Sequence, residues 1–341
     1  MPRKVRWGIL STARIGTEKL IPALQQSAHC EVTAIASRTL PKAQQAAQRL
    51  GIPRAHGSYE ALLADPDVDV IYNPLPNDLH IEWTLQAARA GKHVLCEKPM
   101  AIHAADIEAL RKVAAGSAGI GAGRVHIMEA FMVRFHPQWQ WARDRLRAGD
   151  IGTLRTVQVA FSYFNDDPTN IRNAAQQGGG ALYDIGCYAI VAGRHLFESL
   201  PVRAIALIDR DPRFGTDRTS SGLVDFGEGR RLDFTVSTQT APYQRVQALG
   251  SRGRLELQIP FNAPLDAATL VHLDDGKSLD GRSTLTEVIP PCNMYTLQCD
   301  AFARAVRGEL ALPYGIDDAI VNMRVIDALF RSEASARWEP V

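Results

Sequence analysis

A chain of 341 residues, 46% of them hydrophobic, is long enough for two domains with sizeable cores. Its 38 basic and 37 acidic side chains leave a formal net charge of +1, which excludes a nucleic-acid footprint and a polybasic membrane patch. No apolar run approaches the roughly 18 residues that a spanning helix needs. The first ten residues, MPRKVRWGIL, suit a β-strand better than a signal peptide. Five scattered cysteines, Cys30, Cys96, Cys187, Cys292 and Cys299, form no CxxC pair. They point to no metal site and suit a reducing cytosol, so a cytoplasmic protein is expected.

The first third alternates strand and helix. Lys4–Leu10 reads as a strand and Ile15–Gln26 as a helix, and Glu31–Ser37 is a second strand rich in Val, Ile and Ala. Pro41–Leu50 and Ser58–Leu63 read as helices, Asp69–Asn73 as a strand, Leu79–Ala90 as a helix and His93–Cys96 as a strand. Ala104–Ala115 is a further helix and Val125–Met128 a further apolar run. Strands separated by helices of this length predict a parallel, doubly wound α/β sheet, a Rossmann dinucleotide-binding domain over residues 1–128. After Glu129 the pattern changes. A helix over Pro137–Arg147 and an alternating strand over Leu154–Tyr163 lead to an irregular stretch, Asn165–Gln177, and a glycine run. A helix over Ala181–Phe197 follows, then successive strands from Val202 to Ile259, and helices over Tyr295–Arg307 and Asp317–Ser332. Residues 129–341 therefore predict an α+β domain on a mostly antiparallel, open sheet. The helices are too few to cover both faces of that sheet, so a homo-oligomer through it is expected.

The first strand runs into Gly8-Ile-Leu-Ser-Thr-Ala-Arg-Ile-Gly16. In a Gly-x-Gly-x-x-Gly fingerprint placed over Ser11 to Gly16, Ser11 and Ala13 replace the first two glycines. Small residues still permit a tight turn and a pyrophosphate at a helix N-terminus, which makes Ser11, Thr12, Ala13, Arg14 and Ile15 the candidate phosphate loop. The second strand ends at Ser37-Arg38, where an NAD-selective site would carry an acidic residue. Arg38, with Lys42 one helical turn on, suits a 2′-phosphate, and the cofactor expected is NADP(H).

Two further segments are specific: Cys96-Glu97-Lys98-Pro99 after an apolar strand, and Gly178-Gly-Gly-Ala-Leu-Tyr-Asp184-Ile-Gly-Cys-Tyr188. With Tyr72-Asn-Pro-Leu-Pro-Asn77 and His80, they resemble the Gfo/Idh/MocA oxidoreductase family over nearly the whole chain. The segment Glu129-Ala-Phe-Met-Val-Arg134-Phe-His-Pro137 resembles the branch of dimeric dihydrodiol dehydrogenase and NADP-dependent D-xylose dehydrogenase. The resemblance implies nicotinamide-side contacts at Leu75, Asn77, His80 and Glu97, and a catalytic lysine at Lys98, which also borders the cofactor. Many members carry histidine where this chain has Tyr188; the dihydrodiol and glucose–fructose members have tyrosine there.

Oxidising an alcohol removes a hydride from carbon and a proton from oxygen. A phenol accepts that proton only if its anion is stabilised, which makes Lys98 and Tyr188 a chemically sensible couple. Asp184, four residues before Tyr188, is expected on the same helix face, there to bind a substrate hydroxyl or to hold Lys98. The glycines before it are expected to let substrate or nicotinamide approach the backbone. Tyr163, Asn165 and Arg134 are candidates to line a sugar pocket. The expected substrate is an aldose or related vicinal diol, not a 2-hydroxy acid, since Asp184 would repel a carboxylate. Two other readings stay open: a redox-neutral sugar-to-sugar reaction on a cofactor that never leaves, and a non-catalytic NADP sensor.

Overall fold

Strand-length runs of Val, Ile and Ala, bounded by helices, leave one arrangement that buries both faces of a sheet. In the computed structural model, which describes residues 3–114 and 124–341, they form that parallel sheet. Its strands are β1 (Val5–Ile9), β2 (Cys30–Ala36), β3 (Arg54–His56), β4 (Val70–Asn73), β5 (His93–Cys96) and β6 (Ile127–Glu129). They run parallel in the order β3-β2-β1-β4-β5-β6. This is the doubly wound order, in which the winding reverses between β1 and β4 and opens a crevice at their carboxyl ends. Trp7, Ile9, Ile35, Ile71 and Leu95 fill the core of this sheet. The helix expected over Ala104–Ala115 is present as Ala104–Ala114, and Ala115 lies outside the described residues.

The later strands are β7 (Leu154–Phe164), β8 (Arg203–Arg210), β9 (Asp217–Asp225), β10 (Arg231–Ser237), β11 (Gln239–Gly250), β12 (Arg254–Leu257), β13 (Thr269–Asp274), β14 (Thr284–Ile289) and β15 (Glu339–Pro340). They form one sheet in the order β14-β13-β12-β11-β7-β10-β9-β8-β15. Its pairs are antiparallel except β7 with β10, which run parallel. Alternate residues such as Val157, Val159, Leu232, Phe234 and Val224 are buried on one face, against the helix Cys187–Phe197. The opposite face carries Leu207, 79% exposed, with Leu223 and Tyr243 also exposed, around a shallow hollow of about 750 Å³.

The chain divides into two units, Met1–Met132 with Asn293–Ile320, and Val133–Cys292 with Val321–Val341. The expected boundary at 128/129 falls just before the first crossing. The return of residues 293–320 to the first unit is not part of the two-segment expectation. An amphipathic helix such as Met294–Val306 carries the same pattern whichever unit it packs in; here Phe302 meets Trp7 and Thr296 bonds the Ala23 carbonyl. Two expected helices also begin differently. Each opens with a wide π turn, Gly16–Leu20 before the α-helix Ile21–Gln26 and Leu182–Gly186 before Cys187–Phe197. Such turns concentrate at functional sites. Among the described residues, no helix is long and apolar enough to cross a membrane, and no group of three metal-ligating side chains occurs.

Candidate active site

In the first unit, the loop after β1 is shaped by its own serine. Ser11 has φ +69°, the left-handed region that a glycine enters without steric cost. The backbone geometry of the missing glycine is thus retained, and Ser11 Oγ accepts from the Ala13 amide at 3.2 Å. Thr12 and Ala13 are half-exposed and Arg14 is exposed, paired with Glu18 at 3.0 Å. Ile15 leads into the π turn, where Gly16 faces Tyr72 and Pro74 at the end of β4. Arg38 and Lys42 are both exposed at the end of β2 and the start of the helix Leu40–Leu50. Ser37 is buried, its amide bonded to the His56 carbonyl.

Around Lys98 the structure assembles Leu75, His80, Glu97 and Pro99. Glu97 accepts the Tyr72 hydroxyl at 2.6 Å and the Lys98 amide at 3.3 Å. Burial and the Glu97 charge push the Tyr72 phenol well above its ordinary range, so it remains a donor. His80 is buried, with Nδ1 2.8 Å from the Pro99 carbonyl oxygen and Nε2 2.7 Å from that of Leu75. Two carbonyl acceptors favour the charged ring, but burial, the largest influence, and the Lys98 charge oppose it and pull its pKa down to about 4. The ring ties the Lys98–Pro99 turn, a cis peptide, to the loop after β4. Leu75 is buried, its amide donating to Asn73 Oδ1, and Asn77 opens the half-buried turn Asn77–Leu79.

In the second unit, Asp184, Tyr163 and Tyr188 gather around a residue that the sequence reading passed over, Arg172. Asp184 Oδ2 accepts the Tyr163 hydroxyl at 2.5 Å and Arg172 Nε at 2.9 Å. The Asp184 carboxylate raises the basicity of Arg172, and the Tyr163 and Tyr188 phenols add to it. Burial first, and then Asp184, raises the Tyr163 phenol far above its usual range. Tyr188 is buried, its ring 6.0 Å from Phe161 and 5.5 Å from Phe261. Asp184 lies in the π turn and Tyr188 in the α-helix that directly follows it, where a continuous α-helix was expected.

The glycine run also departs from expectation. A Cβ on Gly179 would lie 2.5 Å from the Arg172 carbonyl oxygen, and one on Gly180, at φ +120°, 1.9 Å from Asp217 Oδ1. At these two positions the protein's own groups occupy the space beside the backbone. Asp217 in turn accepts the Leu182 amide at 2.7 Å, at the start of the π turn. Asn165 builds a turn, its side chain accepting the Asp167 amide and its own amide bonding the Thr238 carbonyl. Arg134 is buried, and its charge acts on His195, which lies about two helical turns beyond Tyr188.

Comparison with known proteins gives this arrangement its context. Residues 5–120 match the model of an oxidoreductase family with an NAD-binding Rossmann fold, and residues 139–256 match the GFO/IDH/MocA C-terminal domain. The chain is 39% identical to an NADP(+) D-xylose 1-dehydrogenase of Haloferax volcanii, covering 96% of each. It is 34% identical to a mouse trans-1,2-dihydrobenzene-1,2-diol dehydrogenase, covering 74% of each. Among solved structures, a 3-ketoreductase from Actinomadura kijaniata in complex with NADP and TDP-benzene superposes with a TM-score of 0.88 at 31% identity, covering 97% of this chain and 98% of that one. The same enzyme has been solved with one lysine replaced by alanine and with one tyrosine replaced by phenylalanine. With both of its domains matched and relatives aligned end to end, this chain belongs to the Gfo/Idh/MocA oxidoreductase family.

Proposed function

We propose that the chain is an NADP(H)-dependent oxidoreductase that interconverts a hydroxyl and a carbonyl on a sugar, an aldose or related vicinal diol. The reading rests above all on one observation: a lysine at the end of β5 whose amide is bound by Glu97 and whose turn His80 braces through Pro99, in a chain aligned with an NADP(+) D-xylose dehydrogenase, a diol dehydrogenase and a ketoreductase solved with NADP. The first unit fits the cofactor. Ser11 supplies the left-handed turn, and exposed Arg38 and Lys42 stand where a 2′-phosphate would be read. Ser11, Thr12, Ala13, Arg14 and Ile15 would hold the pyrophosphate, with Ser37 on the adenosine side. Leu75, Asn77, His80 and Glu97 would border the nicotinamide side, His80 by bracing the turn. When bound, NADP(H) supplies the hydride acceptor or donor.

The chain's own residues manage the proton and the orientation. Lys98 donates a hydrogen bond to the reacting oxygen and stabilises negative charge there. Tyr188 takes the hydroxyl proton on oxidation and returns it on reduction, so the carbinol loses one hydride from carbon and one proton from oxygen. Asp184 holds Tyr163 and Arg172, and with Tyr163 and Asn165 it favours hydroxylated over anionic substrates. Nicotinamide absorbance with NADP⁺ and a panel of aldoses, beside lactate and malate, tests the reading. Turnover of pentoses or hexoses is expected; faster oxidation of the hydroxy acids would overturn the substrate class. Lys98→Ala and Tyr188→Phe are each expected to lose about 10²–10⁴-fold in kcat while NADP⁺ still binds. A double variant little worse than the poorer single one would mark them as acting together. Full kcat in Tyr188→Phe would move the proton to Lys98.

A further inference from the structure

The roles assigned above give no part to Tyr72, yet it stands at the centre of the first unit. In β4 it lies in register with Ile9 of β1 on one side and with Leu95 of β5 on the other. The first of these strands runs into the candidate phosphate loop, the second into Glu97 and Lys98. The Tyr72 carbonyl accepts the Leu10 amide at 3.0 Å, and its ring lies against Gly16, 3.5 Å from where a Cβ there would stand. The residue is fully buried. A phenylalanine would fill the same space without taking a hydroxyl out of water, so packing does not account for the oxygen. What the hydroxyl does is donate to Glu97 Oε1 at 2.6 Å.

Glu97 is tied elsewhere as well. Its amide donates to the Asn73 carbonyl at 3.0 Å, and its Oε2 accepts the Lys98 amide at 3.3 Å. The carboxylate thus keeps one oxygen on the phenol and the other on the main chain of Lys98. Pinning the first oxygen fixes the plane of the carboxylate and so holds the second against that amide; without the phenol, the half-buried carboxylate is free to turn toward water. We propose that Tyr72 is a positioning residue, which pins the Glu97 carboxylate and through it the main chain from which the Lys98 side chain departs. Its ring rests on the turn that follows the phosphate loop, so one side chain sets the lysine and the cofactor loop in a common frame. A lysine that must meet a reacting oxygen within a fraction of an ångström needs such a frame. The proposal rests on the reading of Lys98 as the group that bonds that oxygen. Tyr72 itself stays protonated, because burial and the Glu97 charge both oppose its ionisation.

Deuterium exchange in the full chain, read at single amides by fragmentation mass spectrometry, tests this without sugar or cofactor. Tyr72→Phe keeps the ring and its contact with Gly16 and removes only the donor. The Lys98 amide is expected to exchange about fivefold faster or more, while Ile71 in β4 and Leu95 in β5 keep their rates. Faster exchange spread evenly over both strands would mark a general loosening of the core and overturn the proposal, as would an unmoved Lys98 amide. In a Glu97→Ala background, Tyr72→Phe should change the Lys98 rate by less than about twofold; an undiminished effect there would show that Tyr72 does not act through Glu97. Should Tyr72→Phe not fold because it strands the carboxylate, Glu97→Gln is compared with Glu97→Gln carrying Tyr72→Phe. Faster Lys98 exchange is expected in the second, and equal exchange overturns the proposal. The rate measurement uses NADP⁺ with D-xylose: Tyr72→Phe is expected to lose about tenfold or more in kcat, with KM for NADP⁺ within about twofold. Full kcat in Tyr72→Phe beside an inactive Lys98→Ala sinks the positioning role alone, whereas full kcat in Lys98→Ala sinks the reading of Lys98 on which it rests.

Discussion

Arg38 is exposed at the carboxyl end of β2, two residues before the helix Leu40–Leu50, and Lys42 follows in the first turn of that helix. A guanidinium in this position forms charge-assisted bonds to a phosphate dianion but has little to offer a ribose hydroxyl. Arg38→Ala is therefore expected to weaken NADP⁺ binding by about 1.5–3 kcal/mol and NAD⁺ binding much less. Titration calorimetry or fluorescence quenching with each dinucleotide measures the two losses, and equal losses would remove Arg38 from phosphate recognition. Lys42→Ala should show the same selectivity at smaller size, since an ammonium point charge on a flexible stem lacks the planar fork. Salt should weaken both interactions, because the two side chains stand in water.

At the scale of elements, the π turn Leu182–Gly186 is anchored by Asp217, which is buried and accepts the Leu182 amide and the Ser220 hydroxyl. Burial pushes its pKa up to about 6, above the ordinary carboxyl value of roughly 3.9. Between those values the unfolded chain sheds this proton before the folded one does. The contribution of Asp217 to stability is thus present at low pH and declines as pH rises through about 6. Asp217→Asn removes that dependence, so the melting temperature of the variant minus that of the unaltered protein should rise from pH 4 to pH 7. A constant difference would show that Asp217 is not titrating there. None of this anchor was legible in the sequence, where Asp217 was one acid in a strand. A π turn has no residue signature, so the four-residue step from Asp184 to Tyr188 was read as α-helical. Arg172 was hidden for a related reason: its placement comes from turns and from two glycines, not from periodicity. The parallel strands were legible because burial on both faces demands continuous apolar runs, and Lys98 because it ends such a strand. Ser11 shows the limit of a fingerprint, since what the loop requires is a positive φ, which a serine can adopt.

At the scale of the whole molecule, the nine-stranded sheet is covered on one face only by its own helices in the second unit. On the other face Leu207, Leu223 and Tyr243 are exposed, while the polar side chains beside them are already paired. Gln158 donates to Asp233 at 3.2 Å, Gln247 donates to Glu256 at 2.7 Å, and Ser221 and Thr235 share a bond of 2.8 Å. Satisfied polar groups between apolar ones describe a surface that can be covered without stranding donors or acceptors. A second copy is the simplest cover, because a two-fold axis sets the same patch against itself and leaves no further surface open to growth. We therefore expect a homodimer through this face, burying on the order of 1,200–2,000 Å² or more. Light scattering at micromolar concentration should give about twice the 37.4 kDa chain mass. Leu223→Asp places a carboxylate near Asp233 on the same face and meets its own symmetry mate or that of a neighbour, so it should shift the mass toward the monomer. Its NADP⁺ affinity should be unchanged, because the residues that would hold the dinucleotide lie in the first unit. A monomeric mass for the unaltered chain would leave the apolar face without this explanation, and an unshifted dimer in Leu223→Asp would place the contact on another surface.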